Sequence, residues 1–402
     1  MNDAMKHLFV TQDYGPDRGG MARRHVELCR RFADSSNSME VSTVKLNGAE
    51  EFDRGEAYPI HRQPFHFREA NRFANQVKWA RWLTTFGRSS VDVIHCGNIR
   101  PVGYAVSWVH ARLGIPYIVY VNGGDLLREQ RKTAKSLLKR GTAHRILGQA
   151  SGIAATSQWV ADLARAVLEQ VGVKAIPPIA ALDLGTDPGI FSPNRDTSAR
   201  SLRAKWGVAD APLMVTVARL VPHKGQDTGI RALAHLSKDF PSLRYLLIGE
   251  GHDEPRLRAL ATELGVASRV IFAGPVDDAD LPEAYATSNI YLGASRLDNS
   301  VNVEGFGISF LEASASGLPV VAGDSGGVRS AVRDGVTGVV VPPESVDAVA
   351  SAVARFLRDP VRSGVFGAAG RRAVEEHYNW DRVARDTRDF TISVLKHSRA
   401  KR

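Results

Sequence analysis

Residues 304–312 read Glu-Gly-Phe-Gly-Ile-Ser-Phe-Leu-Glu and lie between two short apolar runs, at 290–292 and 320–322. The glycines favour a loop at the start of this stretch, and the residues after it favour a helix that stops at Gly317, just ahead of Pro319. Apolar runs on both sides of such a helix are typical of parallel strands that are buried on both faces. The stretch therefore predicts a strand–loop–helix–strand unit of a parallel α/β sheet.

The same alternation of apolar runs and helical patterns extends over most of the chain. Further runs lie at 7–10, 91–96, 117–121, 213–217, 245–248, 270–272 and 339–341, and helical patterns lie at 21–34, 226–238 and 254–264. The alternation restarts after a segment dense in turn residues, 184–189. We therefore predict two Rossmann-like doubly wound domains, 1–186 and 187–380, and a C-terminal helix over 381–402 that packs back toward the first domain. Two such domains facing each other would bring the carboxyl ends of their strands to one central cleft.

Two carboxylates, Glu304 and Glu312, flank the glycine-rich loop and the start of the predicted helix, and each can accept hydrogen bonds from hydroxyls. The amino end of that helix presents free backbone N–H groups and the positive end of its dipole, which favour an anion. The residues at this end are Gly305, Phe306, Gly307 and Ile308. An anion site between two hydroxyl acceptors suits a ligand with phosphates and two polyols, which is the composition of a nucleotide sugar.

Two cations follow the predicted strand at 213–217. Arg219 would offer a bidentate fork and Lys224 a point charge, so the two together would clamp a diphosphate; the alternative is a pair of solvated loop cations. Gly249 and Gly251 follow the strand at 245–248, where they form a tight turn or, within a cleft, the lining of a base or ribose site.

The first half of the chain carries two further glycine-containing loops at strand ends. Gly19 and Gly20 precede the helical pattern at 21–34 and permit close approach of a phosphate, although the loop lacks the spacing of a dinucleotide-binding fingerprint, which argues against a dehydrogenase. Asn122 and Asp125 follow the strand at 117–121. They are equally consistent with binding of the reacting sugar and with a plain Asn-Gly turn.

Composition excludes several classes of protein. Two cysteines provide neither a disulfide framework nor metal-ligand spacing, and the amino end does not have the pattern of a signal peptide. No run of about 20 apolar residues is present, so we expect no transmembrane helix and a cytoplasmic location. The Asp-Ala-Asp at 278–280 resembles a metal-binding pair but lies beside Pro282, which favours a helix start. We therefore expect neither a metal nor another cofactor.

Positive charge is concentrated in the first half of the chain. Residues 1–186 carry 25 Lys and Arg against 17 Asp and Glu, whereas residues 187–402 carry 27 against 26. Residues 128–145 contain seven Lys and Arg and one acid, Glu129, and leucines at 126, 127, 137 and 138 supply an apolar side. This segment would touch anionic lipid or an acceptor phosphate, or it would be a core-packed helix with a solvated basic face. No nucleic-acid recognition motif accompanies the charge.

These motifs occur together in an order that is typical of one enzyme family. The chain resembles the retaining glycosyltransferases of family 4, which have the GT-B fold, in its E-x7-E element, cation pair, glycine turn and amino-terminal glycine loop. Further matching segments are 92–95 (Asp-Val-Ile-His), 156–157 (Thr-Ser), 185–187 (Gly-Thr-Asp), 326–328 (Gly-Gly-Val) and 334–338 (Asp-Gly-Val-Thr-Gly). The resemblance covers almost the whole chain and is strongest from about residue 213 to 343.

The resemblance implies a role for each motif. The carboxylate of Glu304 would face the donor sugar and that of Glu312 the ribose. Arg219 and Lys224 would neutralise the leaving diphosphate without a metal, and Gly19 and Gly20 would lie under the phosphates. Two positions depart from the family pattern: Asn122 stands where a histidine is common, and residues 329–330 (Arg-Ser) replace Pro-Glu. The first departure puts the identity of the donor sugar in doubt.

The predicted function is transfer of a hexose-type unit, with retention, from a UDP- or GDP-sugar to an acceptor hydroxyl in cell-envelope, exopolysaccharide or glycolipid synthesis. The expected acceptor is lipid-linked or anionic, and we expect peripheral membrane contact through the basic first domain. Two alternatives stay open. One is a catalytically weak sugar-nucleotide-binding protein, because of Asn122, and the other is a phosphorylase or epimerase with the same fold.

Overall fold

The computed structural model describes residues 5–17, 19–33, 37–65, 72–88, 91–193, 198–208 and 210–400. These residues form two compact units. The first contains the chain up to Leu182 together with the segment from Trp380 onward, and the second contains Asp183–Asn379. The chain thus passes from the first unit to the second close to the boundary that the turn-rich segment predicts.

The first unit contains a parallel sheet of seven described strands. Their bounds are β1 (Met5–Val10), β2 (Asn37–Val44), β3 (Ile60–Gln63), β4 (Val93–Cys96), β5 (Tyr117–Val121), β6 (Gly152–Ala155) and β7 (Ile179–Ala181). The order is β3-β2-β1-β4-β5-β6-β7, so β1 and β4 are neighbours where the direction of winding reverses. Apolar runs predict β1, β4 and β5. The other four strands are absent from the predicted set because they are short, rich in alanine or interrupted by polar residues.

Seven helices from the described residues accompany this sheet. They are α1 (Gly20–Phe32), α2 (Ala49–Arg54), α3 (Arg72–Gly87), α4 (Val102–Leu113), α5 (Gly123–Lys135), α6 (Leu137–Gly148) and α7 (Gln158–Gln170). Helix α1 begins directly after the predicted glycine loop, with Gly19 as its N-cap. The polypeptide therefore alternates strand and helix, as the βαβ prediction requires.

Of the two interpretations of residues 128–145, the single core-packed helix does not hold, because the segment is divided between α5 and α6; contact with anionic lipid or an acceptor phosphate stays a prediction. The segment breaks at Ser136, which caps the next helix by accepting a hydrogen bond from the Lys139 amide at 3.3 Å. Leu126 is buried on α5, whereas Leu137 and Leu138 at the start of α6 are 84% and 75% exposed. The leucines therefore do not form one continuous apolar side.

The second unit repeats the architecture with six described parallel strands. Their bounds are β8 (Leu213–Val217), β9 (Arg244–Ile248), β10 (Val270–Gly274), β11 (Ile290–Gly293), β12 (Val320–Gly323) and β13 (Gly338–Val341). The order is β10-β9-β8-β11-β12-β13, which places β8 beside β11 at the reversal point. All six strands were predicted as buried apolar runs, and the fold class of two Rossmann-like α/β domains is confirmed.

The helices of the second unit cover both faces of its sheet. They are α8 (Ser198–Lys205), α9 (Gln226–His235), α10 (Glu254–Glu263), α11 (Leu281–Ala286), α12 (Ile308–Ala315), α13 (Val328–Ala331), α14 (Val346–Arg358) and α15 (Pro360–Glu376). Helix α12 ends as predicted, because Gly317 adopts a φ of +74° and the Leu318 amide donates back to the Ala313 carbonyl at 3.0 Å. Asp280 is the N-cap of α11, so the Asp-Ala-Asp segment is a helix start.

The last helix, α16 (Trp380–Ala400), packs on the first unit, against α1 and β6. Arg388 donates to the Arg31 carbonyl at 3.0 Å, and a Cβ on Gly152 would lie 2.8 Å from the Val394 side chain. Lys401 and Arg402, at the end of the predicted helix, lie outside the described residues. In the part of the chain that is described, no helix has the length and apolar character needed to cross a bilayer.

Candidate active site

The loops that follow β8 and β11 lie side by side because these strands are neighbours at the reversal point of the second sheet. In open α/β sheets, ligands bind at the carboxyl ends of strands where the winding reverses. The loop after β8 carries Arg219 and Lys224, and the loop after β11 carries Glu304. Strand order therefore brings together side chains that are 80 residues apart in sequence.

An ion pair joins the two loops. Lys224 Nζ donates to Glu304 Oε2 at 2.5 Å, and the two side chains are 19% and 15% exposed. The pair is largely withdrawn from water, so its electrostatic interaction is stronger than that of a surface pair. The cation and the carboxylate are both held in place before any ligand binds.

A pair of glycines supports the backbone at Glu304. The Gly327 amide donates to the Glu304 carbonyl at 2.9 Å, and a Cβ on Gly326 would lie 2.3 Å from the same oxygen. Gly326 also has a φ of +57°, which disfavours other residues. The Gly-Gly-Val segment thus acts by close backbone contact with the loop that carries Glu304.

Arg219 is exposed, and its loop is anchored to the turn after β9. The Leu220 amide donates to the Glu250 carbonyl at 2.9 Å. Cβ atoms on Gly249 and Gly251 would lie 2.2 Å from the Ala218 carbonyl oxygen and 2.1 Å from the Leu220 carbonyl oxygen. Packing against the Arg219 loop therefore explains both glycines; their predicted contact with a base or ribose stays a prediction.

His223 belongs to the same cluster and was not predicted from the sequence. It is 9% exposed, and its carbonyl accepts from the Arg296 amide at 2.8 Å. Burial, then the charge of Lys224, lowers the pKa of His223 to about 4, and the charge of Arg219 acts in the same direction with a smaller effect. At neutral pH this imidazole is uncharged, so the positive charge of the cluster resides on Arg219 and Lys224.

Helix α12 presents an uncapped amino end beside Glu304. Its N-cap, Gly307, has a φ of +95°, makes no side-chain cap, and is followed by Ile308 as the first helical residue, with no acidic residue in the first turn. Phe306 is 2% exposed, so its ring is part of the core and its main chain alone can reach a ligand. The uncapped start of α12 at Gly307 and Ile308 therefore has the backbone amides and positive potential that favour an anion.

Glu312 lies in the second turn of α12 and is 4% exposed. Its Oε2 accepts a hydrogen bond from the Tyr285 hydroxyl at 2.7 Å. The structure therefore fixes this carboxylate through a tyrosine that the sequence did not indicate. Contact of Glu312 with ribose hydroxyls stays a prediction.

The first unit has its own polar cluster at the reversal point between β1 and β4. Asn98 Oδ1 accepts from Thr11 Oγ1 at 3.1 Å, and Asn98 Nδ2 donates to Asp13 Oδ2 at 2.6 Å. Gly19 is extended and exposed, and α1 starts at Gly20 without a side-chain cap. The polar residues Thr11, Asp13 and Asn98 were not predicted from the sequence, and contact of Gly19 and Gly20 with a phosphate stays a prediction.

Asn122 and Asp125 also belong to the first unit, where the Asn-Gly pair starts a helix instead of forming a turn. Asn122 is the extended N-cap of α5 but makes no side-chain cap. Asp125, in the first turn, pairs with Arg128 at 2.5 Å. Contact of either residue with a sugar stays a prediction.

No group of three or more His, Cys, Asp or Glu side chains in the described ranges is arranged to hold a metal ion. The chemistry that these residues can supply is charge stabilisation and hydrogen bonding. Two cations, a free helix amino end and a hydroxyl-accepting carboxylate are suited to a phosphorylated polyol.

Comparisons with known proteins place both units in glycosyltransferase families. The family described as Glycosyl transferases group 1 matches residues 198–373, and Glycosyltransferase Family 4 matches residues 18–178. A protein of Mycolicibacterium smegmatis named GDP-mannose-dependent alpha-(1-6)-phosphatidylinositol monomannoside mannosyltransferase is 31% identical over 379 residues, which cover 93% of this chain and 94% of that protein. A D-inositol 3-phosphate glycosyltransferase of Kribbella flavida is 29% identical over 402 residues, covering 92% and 90% of the two chains.

Solved structures show the same fold at lower sequence identity. The crystal structure of Anabaena Alr3699/HepE in complex with UDP and glucose superposes with a TM-score of 0.78 at 20% identity, covering 97% of this chain and 100% of that one. Sucrose-phosphate synthase from Thermosynechococcus elongatus superposes with a TM-score of 0.76 at 21% identity, covering 98% and 100%.

Proposed function

The chain belongs to glycosyltransferase family 4 and has the GT-B fold, and from this premise we propose that it transfers a hexose from a nucleotide diphosphate sugar to an acceptor hydroxyl with retention of configuration. The observation that carries the proposal is the Lys224–Glu304 pair at the reversal point of the second sheet, beside the uncapped end of α12. A sugar diphosphate supplies what this cluster lacks: an anion for Lys224, Arg219 and the helix end, and hydroxyls for Glu304.

In the proposed reaction, the bond between the anomeric carbon and the diphosphate oxygen breaks as the acceptor oxygen bonds to the anomeric carbon on the same face. The acceptor proton passes to the leaving diphosphate oxygen. Negative charge develops on the diphosphate, and Arg219 and Lys224 stabilise it in place of a divalent metal. Glu304 orients the sugar through its hydroxyls and need not take up a proton.

The donor is proposed to be GDP-mannose or a related GDP- or UDP-hexose. The mycobacterial relative is named as GDP-mannose-dependent, and the Anabaena structure contains UDP and glucose. The match to these relatives extends over most of the chain, which supports a shared donor class.

Isothermal calorimetry with GDP, UDP and ADP tests the donor site. We expect one nucleotide to bind in the presence of EDTA, and Arg219→Ala to weaken its binding at least about tenfold, because a charge-assisted phosphate contact contributes about 1.5–3 kcal/mol. The exposed Lys238→Met is the control and should bind like the wild type. Wild-type protein that binds none of the three nucleotides would contradict the proposal.

The acceptor is proposed to be an anionic glycolipid or phospholipid, bound at the surface of a membrane. A groove of about 1360 Å³ lies between α3, α4 and α6 of the first unit, and none of the described residues that line it is acidic. Its basic lining residues are Arg81, Arg88, Arg100, Arg112, Lys132, Lys139 and Arg145. Phe73 and Trp108 line the same groove and are 80% and 43% exposed. Cations and exposed rings together suit a phosphate headgroup with an attached chain.

Vesicle binding tests this groove. Arg88→Glu with Arg112→Glu should lower the affinity for vesicles of phosphatidylglycerol in phosphatidylcholine at least about tenfold, because each basic residue near an anionic surface contributes about 1 kcal/mol. Arg231→Glu with Arg372→Glu makes the same change in charge on exposed helices of the second unit and should have a smaller effect. If the affinity for anionic vesicles does not fall as salt is added, or equals the affinity for neutral vesicles, the lipid contact is not electrostatic.

A further inference from the structure

Helix α1 buries an arginine that has no ionic or hydrogen-bonding partner among the described residues. Arg24 is 1% exposed, and its Nε, Nη1 and Nη2 atoms are all buried and unbonded. Two other largely buried arginines of this unit are paired: Arg62 with Asp53 at 2.6 Å and Arg100 with Glu129 at 2.8 Å. Arg24 is therefore an exception within its own domain.

Among the described residues, the groups that interact with Arg24 supply no negative charge. Its guanidinium lies 4.8 Å from the ring centroid of Tyr120, whose hydroxyl is hydrogen-bonded to His95 at 2.9 Å. Burial raises the pKa of Tyr120 and lowers the pKa of the adjacent His25 to about 3, so both side chains are neutral at physiological pH. A cation–π contact offsets part of the cost of burying the charge, but a buried cation without an anion remains unfavourable.

A second hydrogen-bond donor without a partner among the described residues lies just after β5, the strand that contains Tyr120. Asn122 follows Tyr120 by two residues in extended backbone, with φ −128° and ψ 160°, so the two side chains lie on the same face of the sheet. The Nδ2 of Asn122 is buried and has no hydrogen-bond partner among the described residues. Helices α1 and α5 both begin at this edge of the sheet, without side-chain caps.

We propose that Arg24 and Asn122 form a binding site for an oxyanion, a phosphate or a carboxylate carried by a substrate of the proposed transferase. A guanidinium, an amide donor and two helix amino ends are complementary to such a group. Arg24 is buried in this structure, so an anion can reach its guanidinium only if the surrounding side chains move apart. The ion pair formed between the guanidinium and the anion would favour that movement. The inference rests on the proposed function for the identity of the substrate, but not for the presence of the anion site.

The test compares Arg24→Met with the wild type. Methionine keeps much of the side-chain volume and removes the unpaired charge, so it should raise the melting temperature of the ligand-free protein while it weakens anion binding about ten- to hundredfold. The matched control is Arg62→Met, which leaves Asp53 unpaired and should lower the melting temperature. If Arg24→Met does not fold, Arg24→Lys provides the affinity measurement alone: it keeps the charge but not the fork of donors, so it should weaken anion binding by less than the methionine substitution.

The anions to titrate are inorganic phosphate, GDP, UDP, and the pair UDP-glucose and UDP-glucuronate, which differ by one carboxylate. Weakened binding of phosphate and of both nucleotides would identify a phosphate as the partner; a loss confined to UDP-glucuronate would identify a sugar carboxylate. If Arg24→Met binds every anion with the same dissociation constant as the wild type, the proposed site is wrong. It is also wrong if the wild type binds none of these anions.

The outcomes also separate this inference from the proposed function. If Arg219→Ala weakens nucleotide binding and Arg24→Met changes nothing, the anion site is wrong and the donor site stands. Phosphate binding that depends on Arg24, in a protein that binds no nucleotide, would support the anion site and contradict the proposed function.

Discussion

Lys224→Met should lower kcat by about 10²–10³-fold, the usual cost of removing one group that stabilises charge in the transition state. Lys224 bonds Glu304 at 2.5 Å in the ligand-free protein and is proposed to share its charge with the leaving diphosphate. Methionine preserves the length of the side chain but cannot neutralise the diphosphate, and it leaves the Glu304 carboxylate largely buried without its cation. Steady-state kinetics with the cognate nucleotide sugar measure the effect.

Three further variants show whether the loss in kcat is specific to the pair. Lys238→Met removes an exposed lysine after α9 and should leave kcat unchanged. Glu304→Gln should itself depress turnover, and the double variant with Lys224→Met should lose less than the product of the two single losses, since the residues act as a unit. Wild-type kcat in Lys224→Met, or strictly multiplicative losses, would show that the pair has no joint role in catalysis.

Gly225→Ala should damage both stability and activity. Gly225 follows Lys224 with a φ of +72°, and a Cβ there would lie 1.9 Å from the Ala294 carbonyl oxygen. Left-handed backbone and overpacking together cost about 2–5 kcal/mol, which corresponds to a melting temperature lower by roughly 10 °C. The clash would push the Lys224 loop away from the loop after β11, and a displacement of about 1 Å can reduce turnover about 100-fold.

Gly335→Ala separates the cost of left-handed backbone from the cost of the steric clash with Ala294. Gly335 has nearly the same φ, +74°, but nothing lies within 4 Å of its Cβ position. Gly335→Ala should therefore lower the free energy of unfolding only by the cost of left-handed backbone, about 1–2 kcal/mol, and the variant should keep its activity. Melting temperatures and kcat for the two variants provide the comparison, and equal values would mean that contact with Ala294 does not position Lys224.

The sequence predicts elements well where burial on both faces produces an uninterrupted apolar run. Strands β8, β9, β11 and β12 have this character, and the stop at Gly317 follows from glycine and proline chemistry. Strands β6 and β7 escape prediction because short runs of alanine and glycine carry little β signal. The break at Ser136 within the basic segment 128–145 and the exposure of Leu137 were not predicted, because helical periodicity does not reveal either feature.

In the candidate site, too, local sequence features could be predicted, whereas contacts set by the tertiary structure could not. A parallel sheet predicts that loops after neighbouring strands meet, but which strands are neighbours is a property of the topology, so the contact between Lys224 and Glu304 required the structure. The bond from Tyr285 to Glu312 and the isolation of Arg24 are products of tertiary packing, and neither has a local motif. Close backbone packing explains Gly249 and Gly251, and their contact with a base or ribose stays a prediction.

The most direct test is to follow the reaction by NMR with GDP-mannose, UDP-glucose and ADP-glucose in the presence of EDTA and of an anionic lipid acceptor. We predict that one donor is consumed without added metal and that the sugar in the product keeps the anomeric configuration it had in the donor. A product of inverted configuration, turnover that requires a divalent cation, or no consumption of any donor would contradict metal-free retaining transfer at the Lys224–Glu304 site.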